Sequence, residues 1–135
     1  MLVSQNTNFK ADISLGLKNQ KDILNTLHSV FNLSIEEKTD RFCKWDFEDD
    51  QGNHYEVKSR RTLKNTYPTT LLPCHKIMKT SAKQYFLFKF TDKLCYIEYD
   101  ESIFKEFKTG WITDARNGKD DLHYYIPISK LIDIF

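Results

Sequence analysis

Between Lys44 and Arg60 the chain reads KWDFEDDQGNHYEVKSR, two alternating segments joined by a short polar turn. That pattern leaves few alternatives to a β-hairpin. Asp50-Gln51-Gly52 fits a three-residue loop whose last position needs a positive φ, which Gly52 adopts without steric cost. Such a loop pairs Asp49 with Asn53. Counting back sets Asp46 opposite Glu56 and Lys44 opposite Lys58. Side chains alternate along a strand, so Asp46, Glu56, Lys58 and Arg60 are expected on one face. Trp45 and Phe47 are expected on the other, packed with Tyr55 and Val57 on a core. A slip of one residue would send Asp46 to the far side from Glu56.

Directly opposed carboxylates, with Cβ atoms about 4.5–5.5 Å apart, repel and weaken a ladder. A divalent cation between them reverses the sign. Mg²⁺ takes oxygen ligands, commonly one or two carboxylates completed by water and substrate phosphate. It polarises a phosphate and lowers the pKa of a bound water. Lys58, one strand repeat from Glu56, is placed to orient or deprotonate that water, or to stabilise developing negative charge. The pattern predicts Asp46, Glu56 and Lys58 as catalytic residues for phosphodiester cleavage, with Asp46 and Glu56 holding Mg²⁺ or Mn²⁺. The alternative is a surface ion-pair ladder, in which Lys44 and Lys58 neutralise the acids.

The formal net charge is only +1, but it is unevenly spread. Glu36 to Glu56 holds eight acidic and three basic residues, whereas Val57 to Thr91 holds eight basic residues and no acidic one. Clustered Lys and Arg are the footprint of phosphate binding. Arg60, Arg61, Lys64, Lys76 and Lys79 are therefore candidate nucleic-acid contacts, with DNA the expected partner. A solvated basic helix face is the alternative. Tyr67 reads as packing at a helix entry. His75 follows Cys74, but no partner for a nucleophilic pair is evident.

The length of 135 residues indicates one domain spanning 1–135, and an aromatic content of 14% indicates a packed globule. Residues 1–11 read as irregular. Apolar spacing predicts a helix near 14–31, with Asp12 or Ser14 as cap. A short strand over 32–38 follows, then the hairpin. Pro68 or Pro73 is expected to open a second helix through about Lys83. YFLFKF reads as a buried strand, turning at Asp92-Lys93 into Leu94–Tyr99. A strand over Leu122–Ile126 and a short terminal helix from Pro127 complete the prediction. No apolar run approaches the length of a membrane span. Cys43, Cys74 and Cys95 form neither a zinc nor a disulfide pattern, so an intracellular setting, cytoplasm or nucleus, is expected.

Asp46, a gap of nine residues, and then Glu56-Val57-Lys58 resembles the PD-(D/E)xK nuclease superfamily, the restriction-endonuclease-like fold. Lys58-Ser59-Arg60-Arg61 followed by Tyr67-Pro68-Thr69-Thr70 is similar to small nuclease-like proteins of viruses and phages. The resemblance covers about residues 15–99. It implies an α/β fold with a mixed sheet flanked by helices, in the order α-β-β-β-α-β. It also implies a metal site completed by the Val57 carbonyl, water activation by Lys58, and a homodimer when both strands of a duplex are cut. Trp45 stands where the motif's name has proline. Family members often carry an acid on the first helix. Gln20 is the nearest candidate here and brings no negative charge, which counts against a second metal ion. The alternative function is an inactive nuclease-fold module that binds nucleic acid or a protein, structural or virion-associated.

Overall fold

The computed structural model of the chain describes residues 20–31, 35–37 and 45–134. Helix α1 spans Gln20–Phe31. Strands β1 (Ile35–Glu37), β2 (Phe47–Asp49) and β3 (His54–Ser59) follow, then β4 (Thr69–Pro73), β5 (Gln84–Lys89) and β6 (Leu94–Glu98). The short helix α2 (Glu101–Phe104) precedes β7 (Thr109–Thr113), β8 (Asp120–Pro127) and β9 (Ile132–Asp133). The strands form two sheets, one in the order β1-β2-β3-β5-β6-β9 and one in the order β4-β8-β7. The mixed α/β character expected from the sequence is present. The larger sheet is mixed: β3 and β5 run parallel, and its other pairs are antiparallel.

Three layers result. On one face of the larger sheet, Ile23 and Leu27 of α1 pack against Phe47, Tyr55, Leu87 and Leu94. Phe31 closes that layer with its ring centroid 5.1–5.7 Å from those of Tyr55, Tyr85 and Tyr96. On the other face, Phe86, Phe88, Cys95 and Ile97 pack against Leu72 and Ile126 of the small sheet. Strand β5 is thus covered on both sides, which is why its sequence is a continuous aromatic run rather than an alternation. Each such buried side chain contributes about 1.5–3 kcal/mol. Phe104 of α2 joins the same core, and Asp100 caps that helix by accepting the Ser102 N–H at 2.9 Å.

The crossover between β3 and β5 departs from expectation. No helix lies between Pro68 and Lys83; the chain forms β4, a single 3-10 turn at Cys74–Lys76, and an irregular passage. The reason lies in the residues. Thr70 and Leu72 are buried while Thr69, Leu71 and Pro73 are less so, a period of two carried partly by β-branched residues. Pro73 is tolerated because β4 is an edge strand. The α-β-β-β-α-β order is therefore corrected: a strand of a second sheet stands where the second helix was expected. After Pro127 the expected helix is likewise a 3-10 turn, Ile128–Lys130, followed by β9. The expectations for residues 1–11, for the caps Asp12 and Ser14, and for Lys44 fall outside the described residues. Gln20 is the first described residue of α1, and its side chain is not among those described.

The loop between β3 and β4 is tied down at several points. Lys64 N–H donates to Asp92 Oδ1 at 2.9 Å, and the Pro68 carbonyl accepts the Ile128 N–H at 3.0 Å. Thr62 O accepts from Thr91 N at 3.1 Å.

Candidate functional site

The hairpin turn is built around Asp49. Its Oδ1 accepts the Gln51 and Asn53 amides, both at 2.9 Å, and its Oδ2 accepts Asn53 Nδ2 and the Tyr55 hydroxyl, both at 3.0 Å. Gly52 has φ 80°. The pairing is Phe47 with Tyr55 and Glu48 with His54, the register expected from the loop length. Past Phe47 the ladder changes. The Asp46 amide, one residue early, donates to Tyr55 O at 3.0 Å, and the Asp46 carboxylate then accepts the Val57 amide at 2.8 Å. This break moves Trp45. Instead of joining Phe47 on the helix side, its ring stacks on His54 at 3.7 Å, and its Nε1 donates to Glu48 at 3.2 Å. The expected packing of Trp45 with Tyr55 and Val57 is corrected accordingly.

Glu56 and Lys58 point from β3 toward the small-sheet side. Glu56 is 8% exposed. Its Oε2 meets Lys76 Nζ at 2.9 Å and Lys58 Nζ at 3.3 Å. Burial pushes the Glu56 carboxyl upward, and the nearby Asp46 charge adds to that; the Lys76 hydrogen bond and the Lys58 charge oppose it. Burial likewise pushes the Lys58 ammonium downward, toward the neutral amine, while Glu56 holds it up. Asp46 and Lys58 thus both act electrostatically on Glu56, although the ladder break keeps Asp46 from the direct pairing with Glu56 that the loop length predicts. Lys76, read from the sequence as a nucleic-acid contact, instead completes this group as a Glu56 partner. It arrives on the 3-10 turn that replaces the expected helix.

The donors in this group suit a hard cation. Two carboxylates meet the need of Mg²⁺ for oxygen ligands when water and a phosphate complete the shell. The N–H and C=O of a strand residue point to the same neighbour. The Val57 carbonyl therefore faces the side on which Asp46 takes its amide. Among the described residues no group of three or more Asp, Glu, His or Cys side chains gathers here or elsewhere.

Beside the cluster lies a groove of about 680 Å³, whose cationic walls are Lys58, Arg60, Arg61 and Lys64. None of its described lining residues is an Asp or Glu. Arg60 is largely committed to structure. Its Nε donates to Thr70 Oγ1 at 3.0 Å, Nη2 donates to the Leu71 carbonyl, and the guanidinium lies 5.4 Å from the Phe88 ring centroid. It clamps the end of β3 to β4, and burial lowers its pKa. Lys64 Nζ pairs with Asp133 at 2.6 Å. Arg61 is exposed and makes no ion pair among the described residues. Lys79 is exposed and lies outside the groove lining.

Several residues of the groove were not read as site residues from the sequence. Tyr67 is 63% exposed and lines it rather than packing at a helix entry. His123 and Tyr125 enter from β8 because β4 pairs Pro73 with His123 and Leu71 with Tyr125. No local signal links positions so far apart in the chain. Burial raises the Cys74 thiol pKa, away from the reactive thiolate. His75 lies 3.8 Å from Asp121 on the surface. Among the described residues no helix is long and apolar enough to cross a membrane. No protein-family model matches the chain, and no curated protein matches it.

Proposed function

We propose that this protein is a metal-dependent nuclease that hydrolyses phosphodiester bonds of nucleic acid held in the basic groove. One observation carries the reading: Lys58 belongs to both halves, 3.3 Å from Glu56 on one side and lining the groove on the other. A phosphate drawn into the groove by Arg61 thereby meets the carboxylate pair. Asp46, Glu56 and the Val57 carbonyl would hold Mg²⁺ or Mn²⁺. That ion supplies Lewis acidity toward the phosphate and a more acidic water. Lys58, its ammonium destabilised by burial, takes a proton from the attacking water or offsets charge on the phosphate. Arg60 holds β3 against β4 so that groove and cluster keep their spacing. The restriction-endonuclease-like core belongs to this proposal, and a strand-plus-turn crossover is compatible with the parallel β3–β5 pair it requires.

A second reading is a module that binds nucleic acid without cutting it. Lys76 favours it, because at 2.9 Å from Glu56 this ammonium already supplies the positive charge that a metal would bring. Incubation with plasmid in Mg²⁺ or Mn²⁺ separates the two. The nuclease reading expects nicking that EDTA abolishes and that Lys58→Ala reduces at least 100-fold, about the scale of a general acid–base contribution. Retention of DNA with no cleavage in either metal would leave the binding module.

A further inference from the structure

We infer that the groove takes a single strand of nucleic acid rather than a duplex, with Tyr67 as a platform on which one base stacks. The inference rests on the nucleic-acid reading above and names the substrate class of the same site. Three observations lead to it.

The first is shape. A recess of about 680 Å³ falls in the roughly 300–1,000 Å³ range of cavities that enclose small ligands. A nucleotide or two can enter it, whereas a duplex presents its backbone to the rim and leaves the recess unfilled. The second is composition. Arg61 and Lys64 share the lining with exposed Tyr67 and Leu63 and with part-exposed Tyr125. Cations alone would serve a phosphate backbone. Exposed aromatic and apolar faces beside them match unpaired bases, since base–aromatic stacking plus a cationic track is how single strands are held.

The third observation is that Tyr67 is presented on a fixed backbone. The Pro68 carbonyl next to it is bonded to Ile128, Thr66 N–H donates to Leu63 O at 3.2 Å, and Lys64 N–H is held by Asp92. A large ring left 63% exposed on an anchored loop loses little freedom on binding. Tyr125 offers a second ring in the lining. It lies over Gly110, where a Cβ would come within 3.0 Å of its ring, so the glycine makes room for it.

The test is fluorescence anisotropy with the whole protein in EDTA, using labelled oligothymidylate, labelled oligouridylate and a labelled duplex of the same length. Both single strands are probes, and either one binding more tightly than the duplex supports the inference. Tyr67→Ala should weaken single-strand binding roughly 5- to 150-fold, the range for losing one base–aromatic stack, and change duplex binding less than about 2-fold. Tyr67→Trp should retain single-strand affinity. Duplex binding equal to or tighter than single-strand binding, or single-strand binding indifferent to Tyr67→Ala, overturns the inference and leaves the nucleic-acid reading standing. No binding of any probe at low salt overturns both.

Discussion

The Asp46 carboxylate accepts the Val57 amide N–H at 2.8 Å, so the residue that precedes β2 holds the backbone of β3 at the point between Glu56 and Lys58. Under the proposed function, one side chain thereby joins a structural task to a chemical one. The two can be separated. Asp46→Ala leaves the Val57 amide without its charged acceptor and should cost about 1.5–3 kcal/mol in urea denaturation. Asp46→Asn keeps an acceptor oxygen, so it should retain most of the stability while losing metal-dependent cleavage. Equal loss of stability in both variants would contradict this division of roles.

Glu56 predicts an unusual pH response. Its pKa is raised by burial, so the folded protein holds this proton more tightly than the unfolded chain. The favourable contribution is complete below the ordinary carboxyl value near 4.5 and is lost as pH rises through the folded value. Charged Glu56 is therefore a net cost at neutral pH, even with Lys76 and Lys58 beside it. Glu56→Gln removes that cost and should leave the fold at pH 7 at least as stable as the parent, with the loss on rising pH abolished. Lys76→Met strips a cation from the buried carboxylate and should destabilise the fold at pH 7 by about 1–3 kcal/mol. Combining it with Glu56→Gln should recover most of that loss, because a buried ion pair replaced as a unit costs far less than one broken. Chemical denaturation of the three variants measures it.

Asp49 has the opposite sign. Burial pushes its carboxyl up, but the four donors from Gln51, Asn53 and Tyr55 outweigh it, and the net direction is down. Its contribution is present above the ordinary value of 3.8 and is lost as pH falls through the folded value. Asp49→Ala should cost about 2–4 kcal/mol at neutral pH and flatten the acid limb of the stability profile. Thermal melts between neutral pH and the acid limb read both effects.

Gly52 isolates backbone strain. A Cβ at this position meets nothing within 4 Å, so a substitution there is opposed only by the φ of +80°. Gly52→Ala should lower stability by about 1–2 kcal/mol, and Gly52→Asn by less, since Asn visits this region more readily. A melting temperature for each is sufficient.

Much of the hairpin was legible because its constraints are local. A glycine with positive φ, a three-residue loop and a period of two set the register from Asp49 back to Phe47. Trp45 was misplaced because the Asp46 amide takes over the bond to Tyr55, a one-residue break that alternation cannot reveal. The stretch Tyr67–Pro73 was misread because two prolines can open a helix or bound an edge strand; pairing of β4 with β8 decides between them, and that pairing joins residues fifty or more positions apart. The same distance hid His123 and Tyr125. Lys76 was visible as a charge, but its partner Glu56 emerged only once the chain between β3 and β5 turned back over the larger sheet.

The most direct measurement is a crystal of the protein soaked in Mn²⁺, with anomalous scattering to locate the ion. We expect a Mn²⁺ peak bound by the Asp46 and Glu56 carboxylates and the Val57 carbonyl, with Lys76 swung off Glu56. A well-ordered site that still holds Lys76 at 2.9 Å from Glu56, with no anomalous peak beside it, would contradict a metal-dependent nuclease.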